Sequence, residues 1–313
     1  MVESNIPLIL YSKLILLTMV PFVLAGQGTM VGGRAGVFNV AQEGIMLCCA
    51  SIGFLASYYT GNLGMGILAA MVVGGIFGLA LAYFTTTLKM DQFVIGLALF
   101  FVGLGLSTLL PKVLIGVTMT PPLIPTLNNV PIPVLSEIPY IGEVFFNQNI
   151  LVYVSVLLSI FLWWGLYKTN FGLSLRSTGE SPHAADSLGI SVNFMRYLTA
   201  IVGGALIGLA GVYLPMVYTG TFTEGMVKGR GWLAIALTFF GGWKPLNILI
   251  GALFFSGVEV LAYKVQITSL GIPYQFLLML PYLATIFVMI FTFRKPTVPQ
   301  FLGQNYDREK RSL

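Results

Sequence analysis

Nine apolar segments alternate with polar joints along the chain, at 7–26, 36–59, 65–88, 93–110, 149–167, 197–218, 230–243, 246–264 and 274–293. Most approach the ~20 residues that a helix needs to cross a bilayer. The segment 230–243 is short and ends at Gly241-Gly242-Trp243-Lys244-Pro245, so it reads as half a helix that enters the bilayer and breaks. The pattern predicts an all-α fold: a polytopic transmembrane helix bundle of about eight to nine spans with broken or re-entrant helices. The whole chain, 1–313, is expected to form one membrane-embedded domain.

Two long joints interrupt the pattern. The first, 111–148, holds Pro111, Pro121, Pro122, Pro125, Pro131, Pro133 and Pro139 and only three charged side chains. Such a segment is extended rather than helical. Its apolar residues, among them Leu123, Ile124 and Val134, should fold it against the outside of the bundle, as a packed cap or as a docking surface for an external partner. The second, 168–196, reads KTNFGLSLRSTGESPHAADSLGISVNFMR and carries a short helix with its own limits. Ser181 can accept from the free N–H groups of a first turn, Pro182 suits the first helical position, and Gly189 can turn left-handed and end the helix. Ala184, Ala185 and Leu188 fall at spacings that share a face. A helix this short is not stable alone in water, so it must lean on the bundle, and a partner could cover its other side. The alternative is a solvated loop with one helical turn.

Composition narrows the class. The chain is 57% hydrophobic and 9% charged, against roughly 25% charged in soluble domains, so a soluble protein of this size would lack the polar surface to cover itself. The 36 glycines suit close helix approach in lipid. Cys48 and Cys49 are neighbours that diverge on a helix, which points to apolar filler rather than a disulfide or metal site.

The formal charge of +5 sits at segment ends rather than in one patch, the mark of membrane topology rather than of nucleic-acid binding. With 168–196 in the cytoplasm, Arg34, Lys89, Lys168, Arg176, Arg196, Lys244, Arg294 and a basic tail (294–313, with Arg308, Lys310 and Arg311) share that side. Only Lys13, Lys112, Lys228, Arg230 and Lys264 lie elsewhere, so the N-terminus is expected outside and the C-terminus inside. The N-terminal MVESNIPLIL lacks a basic region and a small-residue cleavage site and reads as uncleaved.

Two stretches place polar groups at membrane depth: GGRAGVFNVAQEG (32–44) and TGTFTEGMVKGR (219–230). A carboxylate in a span is costly and usually faces the bundle interior or a water-filled cavity. Asn39 and Glu43 are four apart and share a face if helical, and Gln42 lies beside them. Gly32-Gly33 and Gly36 could break the helix and open backbone groups to a cavity. Glu43 then lines a path, or else pairs with Arg34 or caps a helix end for folding alone. Glu259 is a second path candidate, standing by itself. Trp232, Phe239 and Phe240 could stack on a ring-shaped substrate or simply pack. GGRAGVFN (32–39) and GGWKPLN (241–247) echo each other faintly.

Catalytic signatures are missing from the sequence. HExxH, CxxC and GxSxG do not occur, and the single histidine, His183, lies in the 168–196 joint. Gly220 and Gly225 have phosphate-loop spacing, but Met226 follows where Lys is required. The chain is therefore expected to be neither an enzyme nor an ATPase.

Three stretches carry a family likeness: GLSLRSTGESPHAADSLGISVNFMRYLTAIVGGALIGLAGVYL, GGRAGVFNVAQEGIML and YTGTFTEGMVKGRGWLAIALTFFGGWKPL. They resemble ABC import permeases of the branched-chain amino acid/ribose/nucleoside superfamily, most of all the nucleoside or simple-sugar branch, over about residues 25 to 293. The likeness implies that Arg176, Gly179, Glu180, Pro182, Ala184, Ala185, Leu188 and Gly189 form a coupling helix seated in a groove of a separate ATP-binding subunit. ATP and magnesium would be held there, and this chain would carry no cofactor. The likeness also implies a second homologous permease, an external substrate-binding lipoprotein, a plasma-membrane location, and a small-molecule substrate, with nucleosides ahead of simple sugars and branched-chain amino acids. VAQEG and GGWKP depart from the forms usual in the nucleoside branch, which bears on the substrate and not on the coupling helix. A different class, an ion-coupled carrier working alone, would have to titrate Glu43 and Glu259.

Overall fold

The computed structural model describes residues 6–116, 120–133, 135–267, 274–292 and 298–309. Val134, Arg294, Lys310 and Arg311 lie outside them. Each of the nine apolar segments holds a helix: α1 (Ile6–Arg34), α2 (Gln42–Thr60), α3 (Leu63–Ala82) and α4 (Gln92–Leu114), then, after the proline-rich joint and a short α5 (Ile141–Phe145), α6 (Ile150–Lys168). Next come two short helices, α7 (Asn170–Glu180) and α8 (Pro182–Ser187), and then α9 (Val192–Tyr213), α10 (Arg230–Phe240), α11 (Pro245–Ile267) and α12 (Tyr274–Thr292). Single π-turns prolong α3 over Tyr83–Thr87 and α9 over Leu214–Thr219. The described strands are β1 (Asn129–Pro131) and β2 (Asn147–Asn149), one antiparallel pair inside the proline-rich joint. Among the described residues six helices are long and apolar enough to cross a membrane. The chain is an all-α polytopic bundle.

Polar side chains cap the starts of several of these helices. Asn62 accepts from Gly64 N–H (2.8 Å), Asp91 from Val94 N–H (2.9 Å) and Asn149 from Leu151 N–H (3.0 Å). Each satisfies one of the donors a helix start leaves over. The residues before α2 and α10, Ala41 and Gly229, supply no side-chain cap. Those two helices begin inside the bundle.

The core is organised on α9, which packs against α1, α2 and α3. Gly74 of α3 and Gly204 of α9 let two backbones touch: a Cβ on either would run into the other's carbonyl oxygen. Lipid offers no hydrophobic drive for helix pairing, so close backbone contact of this kind carries much of the association. In α1, Pro21 has no N–H for the carbonyl of Leu17, four residues back. The Tyr213 and Tyr218 hydroxyls donate to that carbonyl at 2.9 and 3.2 Å, which fastens α9 and its π-turn to α1.

The helices define two ends. At the loop end the proline-rich joint caps the bundle: Ile124 and Leu127 N–H donate to the Gly220 and Met216 carbonyls, and ion pairs join Lys13 to Glu143 and Lys112 to Glu224. Ile124 and Val144 are buried, as their apolar character requires. At the other, tail end lie Arg34, α7, α8, the Gly241–Lys244 turn and the C-terminal residues 298–309, joined by contacts described below.

The first helix corrects one expectation. Gly32 and Gly33 do not break it. It runs to Arg34, and the chain turns at Gly36, whose φ is +87°. Gly33 stays helical because the Trp243 ring occupies the space a Cβ would need. From Gly36 the chain climbs back into the bundle without helical structure and only then starts α2.

Candidate functional site

Two helix starts meet half-way through the bundle. The α10 helix has 11 residues, so at 1.5 Å per residue its first turn lies about 16 Å in from the Gly241–Lys244 turn. Gly44 of α2 packs against Phe100 and Gly103 of α4, and Gly103 is likewise 11 positions along from Gln92 at the tail end. Both depths are about half of the ~30 Å hydrocarbon core.

The Glu43 carboxylate joins them. Its Oε1 accepts Gly229 N–H and its Oε2 accepts Gly231 N–H, each at 2.7 Å. Both donors belong to the otherwise uncapped start of α10, and Glu43 also stands in the first turn of α2. The N-terminal ends of two helices therefore face one carboxylate. Gly231 makes the approach possible, since a Cβ there would lie 2.7 Å from Glu43 Cα. Asn39 turns its Oδ1 to Ala41 N–H at 2.9 Å and braces the entry to α2.

Beside this junction Arg230 forms an ion pair with Glu259 of α11, and the Tyr263 hydroxyl donates to the same carboxylate oxygen at 2.9 Å. Arg230 also reaches the Met226 and Val227 carbonyls, at 3.4 and 3.3 Å. Gln42 is fully buried, and both atoms of its amide are without a hydrogen-bond partner among the described residues.

Several expectations change here. Of the folding roles expected for Glu43, the pairing with Arg34 does not form, while the helix cap does: the carboxylate caps α10. Glu259 does not stand alone: Arg230 is its partner inside the bundle. Trp232 meets Phe100, Phe239 meets Phe38 and Trp243, and Phe240 stacks on Phe255, contacts that favour the packing alternative. Asn39, Gln42 and Glu43 do come together, with Glu259 joined to them through Arg230.

The second candidate region is α7–α8 at the tail end. Pro182 opens α8, and Gly189 ends it with φ +84°. Ser181 makes no side-chain cap, only a backbone bond from Ala185 N–H to its carbonyl. Ala184, Ala185 and Leu188 do not share a face. Ala185 is buried, whereas Ala184 is exposed and Leu188 is 81% exposed, so the outward side is Ala184, Ser187 and Leu188. Ala185 faces inward because Val192 and Tyr306 cover it. Arg176 lies over the Tyr167 ring at 4.8 Å, and Gly179 packs on the Arg34 carbonyl, where a Cβ would collide.

Arg34 ties the two regions together. It pairs with Glu180 at 3.8 Å, donates Nη2 to Tyr167 Oη at 3.1 Å, and donates Nε to the Trp243 carbonyl at 2.8 Å. One side chain thus touches the end of α7, the end of α6 and the turn after α10. The sequence offers Arg34 only as a topology charge or a partner for Glu43, because nothing local signals partners more than 130 positions away.

A membrane bundle with a buried polar junction and a short surface helix fits a transport component, and comparison with known proteins decides its kind. Residues 11–291 match the family described as branched-chain amino acid transport system / permease component. The chain belongs to this family. It is 33% identical to the guanosine ABC transporter permease protein of Bacillus subtilis, over 93% of this chain and 94% of that one. It is 32% identical to the nucleoside ABC transporter permease protein of Lactococcus lactis, over 99% of each. It is 32% identical to a Haloferax volcanii chain provisionally named a glucose ABC transporter permease protein, over 92% of this chain and 94% of the other. No solved structure matches significantly. The permease family accounts for the buried polar junction and the missing catalytic signatures together: the chain is a transport component.

Proposed function

We propose that this permease is one of two membrane subunits of an ATP-driven importer that carries nucleosides across the plasma membrane, with ATP hydrolysed on a separate subunit. The observation that carries the reading is the two-sided α8, whose buried side is held by the bundle and whose outer side, Ala184, Ser187 and Leu188, is left for an ATP-binding subunit. Arg176, Gly179, Glu180, Pro182, Ala185 and Gly189 hold that helix and its approach in place. The nucleoside assignment draws on the Bacillus and Lactococcus relatives. A simple sugar is the second reading, on the strength of the Haloferax relative.

The tail end is taken to face the cytoplasm, with the C-terminus inside and the loop end meeting an external binding protein. Arg34, Lys89, Lys168, Arg176, Arg196, Lys244 and Arg308 favour this by the positive-inside rule. Asn39, Gln42, Glu43 and Glu259 form the polar part of the path. A buried amide with unused donor and acceptor capacity is costly, and a neutral hydrogen-bonding substrate passing Gln42 would satisfy it. When the ATP-binding subunits close, α8 and the end of α7 shift. Arg34 carries that shift to the Trp243 turn, so that α10 moves against α2 around the Glu43 junction, in keeping with alternating access about a midplane site. Glu43 and Glu259 are occupied by helix N–H groups and by Arg230, which disfavours an ion-coupled carrier that must titrate them.

The test is uptake of radiolabelled guanosine, glucose and leucine into vesicles holding this chain with its partner permease, ATP-binding subunit and binding protein. ATP-dependent guanosine uptake that resists collapse of ion gradients is expected. Uptake by this chain alone, abolished by an ionophore, would overturn the reading.

A further inference from the structure

We infer that the C-terminal segment 300–308 is a strap that positions the coupling helix relative to the start of the transport path. It touches both, and the two are otherwise far apart in sequence. On the α8 side, the His183 ring lies edge-on to Phe301 and Tyr306, at 6.1 and 5.1 Å between centroids. Tyr306 packs with Ala185 and Val192, and Arg308 pairs with Asp186 at 2.8 Å. On the path side, Gly303 N–H donates to the Gly36 carbonyl at 3.2 Å, and Gln92 Nε2 donates to the Gln304 carbonyl at 3.3 Å. Phe301 N–H donates to the Gly179 carbonyl at 2.9 Å, where α7 ends.

Gln92 shows what the strap holds. While its Nε2 reaches the strap, its Oε1 accepts Phe38 N–H at 2.7 Å. Phe38 lies in the non-helical climb from Gly36 to Gln42 and Glu43. That climb has few hydrogen bonds of its own, and its lower end is held by Gly303 and Gln92 while Val37 and Val40 pack inside the bundle. The six-residue α8 is equally unable to hold its own shape. Two weakly self-supporting elements are thus fastened to one strand, and displacement of α8 must move Gly36 with it. Two further contacts brace the strap against the joint between α3 and α4: Asn305 Nδ2 donates to the Lys89 carbonyl at 2.6 Å, and Lys89 pairs with Asp307 at 2.9 Å. The strap runs beside the Arg34 link and meets the chain at Gly36, where the climb toward α2 begins, rather than at α10.

The inference rests on the proposed docking of an ATP-binding subunit at α8. It is tested on the full importer in proteoliposomes, by measuring substrate moved per ATP hydrolysed. A chain ending at Val298 should still co-purify with the ATP-binding subunit, because the outer side of α8 is intact, and should hydrolyse ATP within about twofold of wild type. Its transport per ATP should fall at least fivefold. Asp307→Lys should give a smaller loss, and adding Lys89→Asp should restore the ratio, which a general folding defect would not allow. If the shortened chain moves as much substrate per ATP as wild type, the strap is wrong. If it loses the ATP-binding subunit altogether, or the exchanged pair fails to restore the ratio, the segment only maintains folding and the inference is equally wrong. A wild-type complex without ATP-dependent uptake would instead sink the importer reading, and the strap's role with it.

Discussion

Glu43 on α2 accepts the backbone N–H of Gly231 on α10 at 2.7 Å, so the start of one helix is capped by a residue from the start of another, 188 positions away. Hydrogen bonds to charged groups are worth roughly 1.5–3 kcal/mol each, and here the alternative is one buried and one half-buried donor with no partner. Glu43→Ala should lower the Tm of the purified chain markedly and abolish uptake. Glu43→Gln keeps one acceptor and should fall between. Gly231→Ala should match Glu43→Ala, since its Cβ would push the carboxylate away. A thermal-shift series in detergent decides, and unchanged Tm for Gly231→Ala would refute the capping account.

Arg230 and Glu259 form a buried pair. Removing one partner of such a pair strands the other charge, at a cost of about 3–5 kcal/mol, whereas replacing both with apolar groups of similar size is often close to neutral. Arg230→Met and Glu259→Leu should each destabilise strongly, while the double variant should regain most of the lost Tm. A double-mutant cycle gives the coupling, and simple additivity would mean the two charges are satisfied independently.

Pro21 leaves the Leu17 carbonyl open for Tyr213 and Tyr218. Tyr213→Phe should therefore cost roughly 1 kcal/mol in the native background. Combined with Pro21→Ala, which restores a main-chain donor to that carbonyl, it should cost much less. Equal costs in the two backgrounds, measured by denaturant or thermal unfolding, would show that the tyrosine acts elsewhere.

The two sides of α8 should respond differently. Leu188→Asp changes only the exposed side, so the chain should purify with wild-type Tm and fail to retain the ATP-binding subunit in a pull-down. Ala185→Asp buries a charge against Val192 and Tyr306 and should lower Tm or yield before any question of docking arises. Retention of the subunit by Leu188→Asp would remove the outer side of α8 from the interface.

The positions of nine helices, the half-length of α10 and the limits of α8 were legible along the chain. Each depends on neighbours within a turn or two: apolar run length, Pro182 at a helix start, Gly189 at its end. The extent of α1 was not, because Gly33 stays helical only where the Trp243 ring fills the space beside it. The tail was read as a basic cluster, since backbone bonds from Phe301 and Gly303 leave no mark in side-chain type.

What the sequence determined by itself was therefore a lipid-embedded helical bundle with polar residues at membrane depth in two stretches and a short surface helix bounded by Pro182 and Gly189. Tertiary structure alone decided which groups satisfy one another: Glu43 with the start of α10, Glu259 with Arg230, Arg34 with the Trp243 turn, and Ala185 rather than Leu188 with the bundle. The reason is physical. A short helix has no preferred buried face until something covers it, and a buried charge takes whatever complementary partner the packing brings within 3–4 Å, however distant that partner is along the chain.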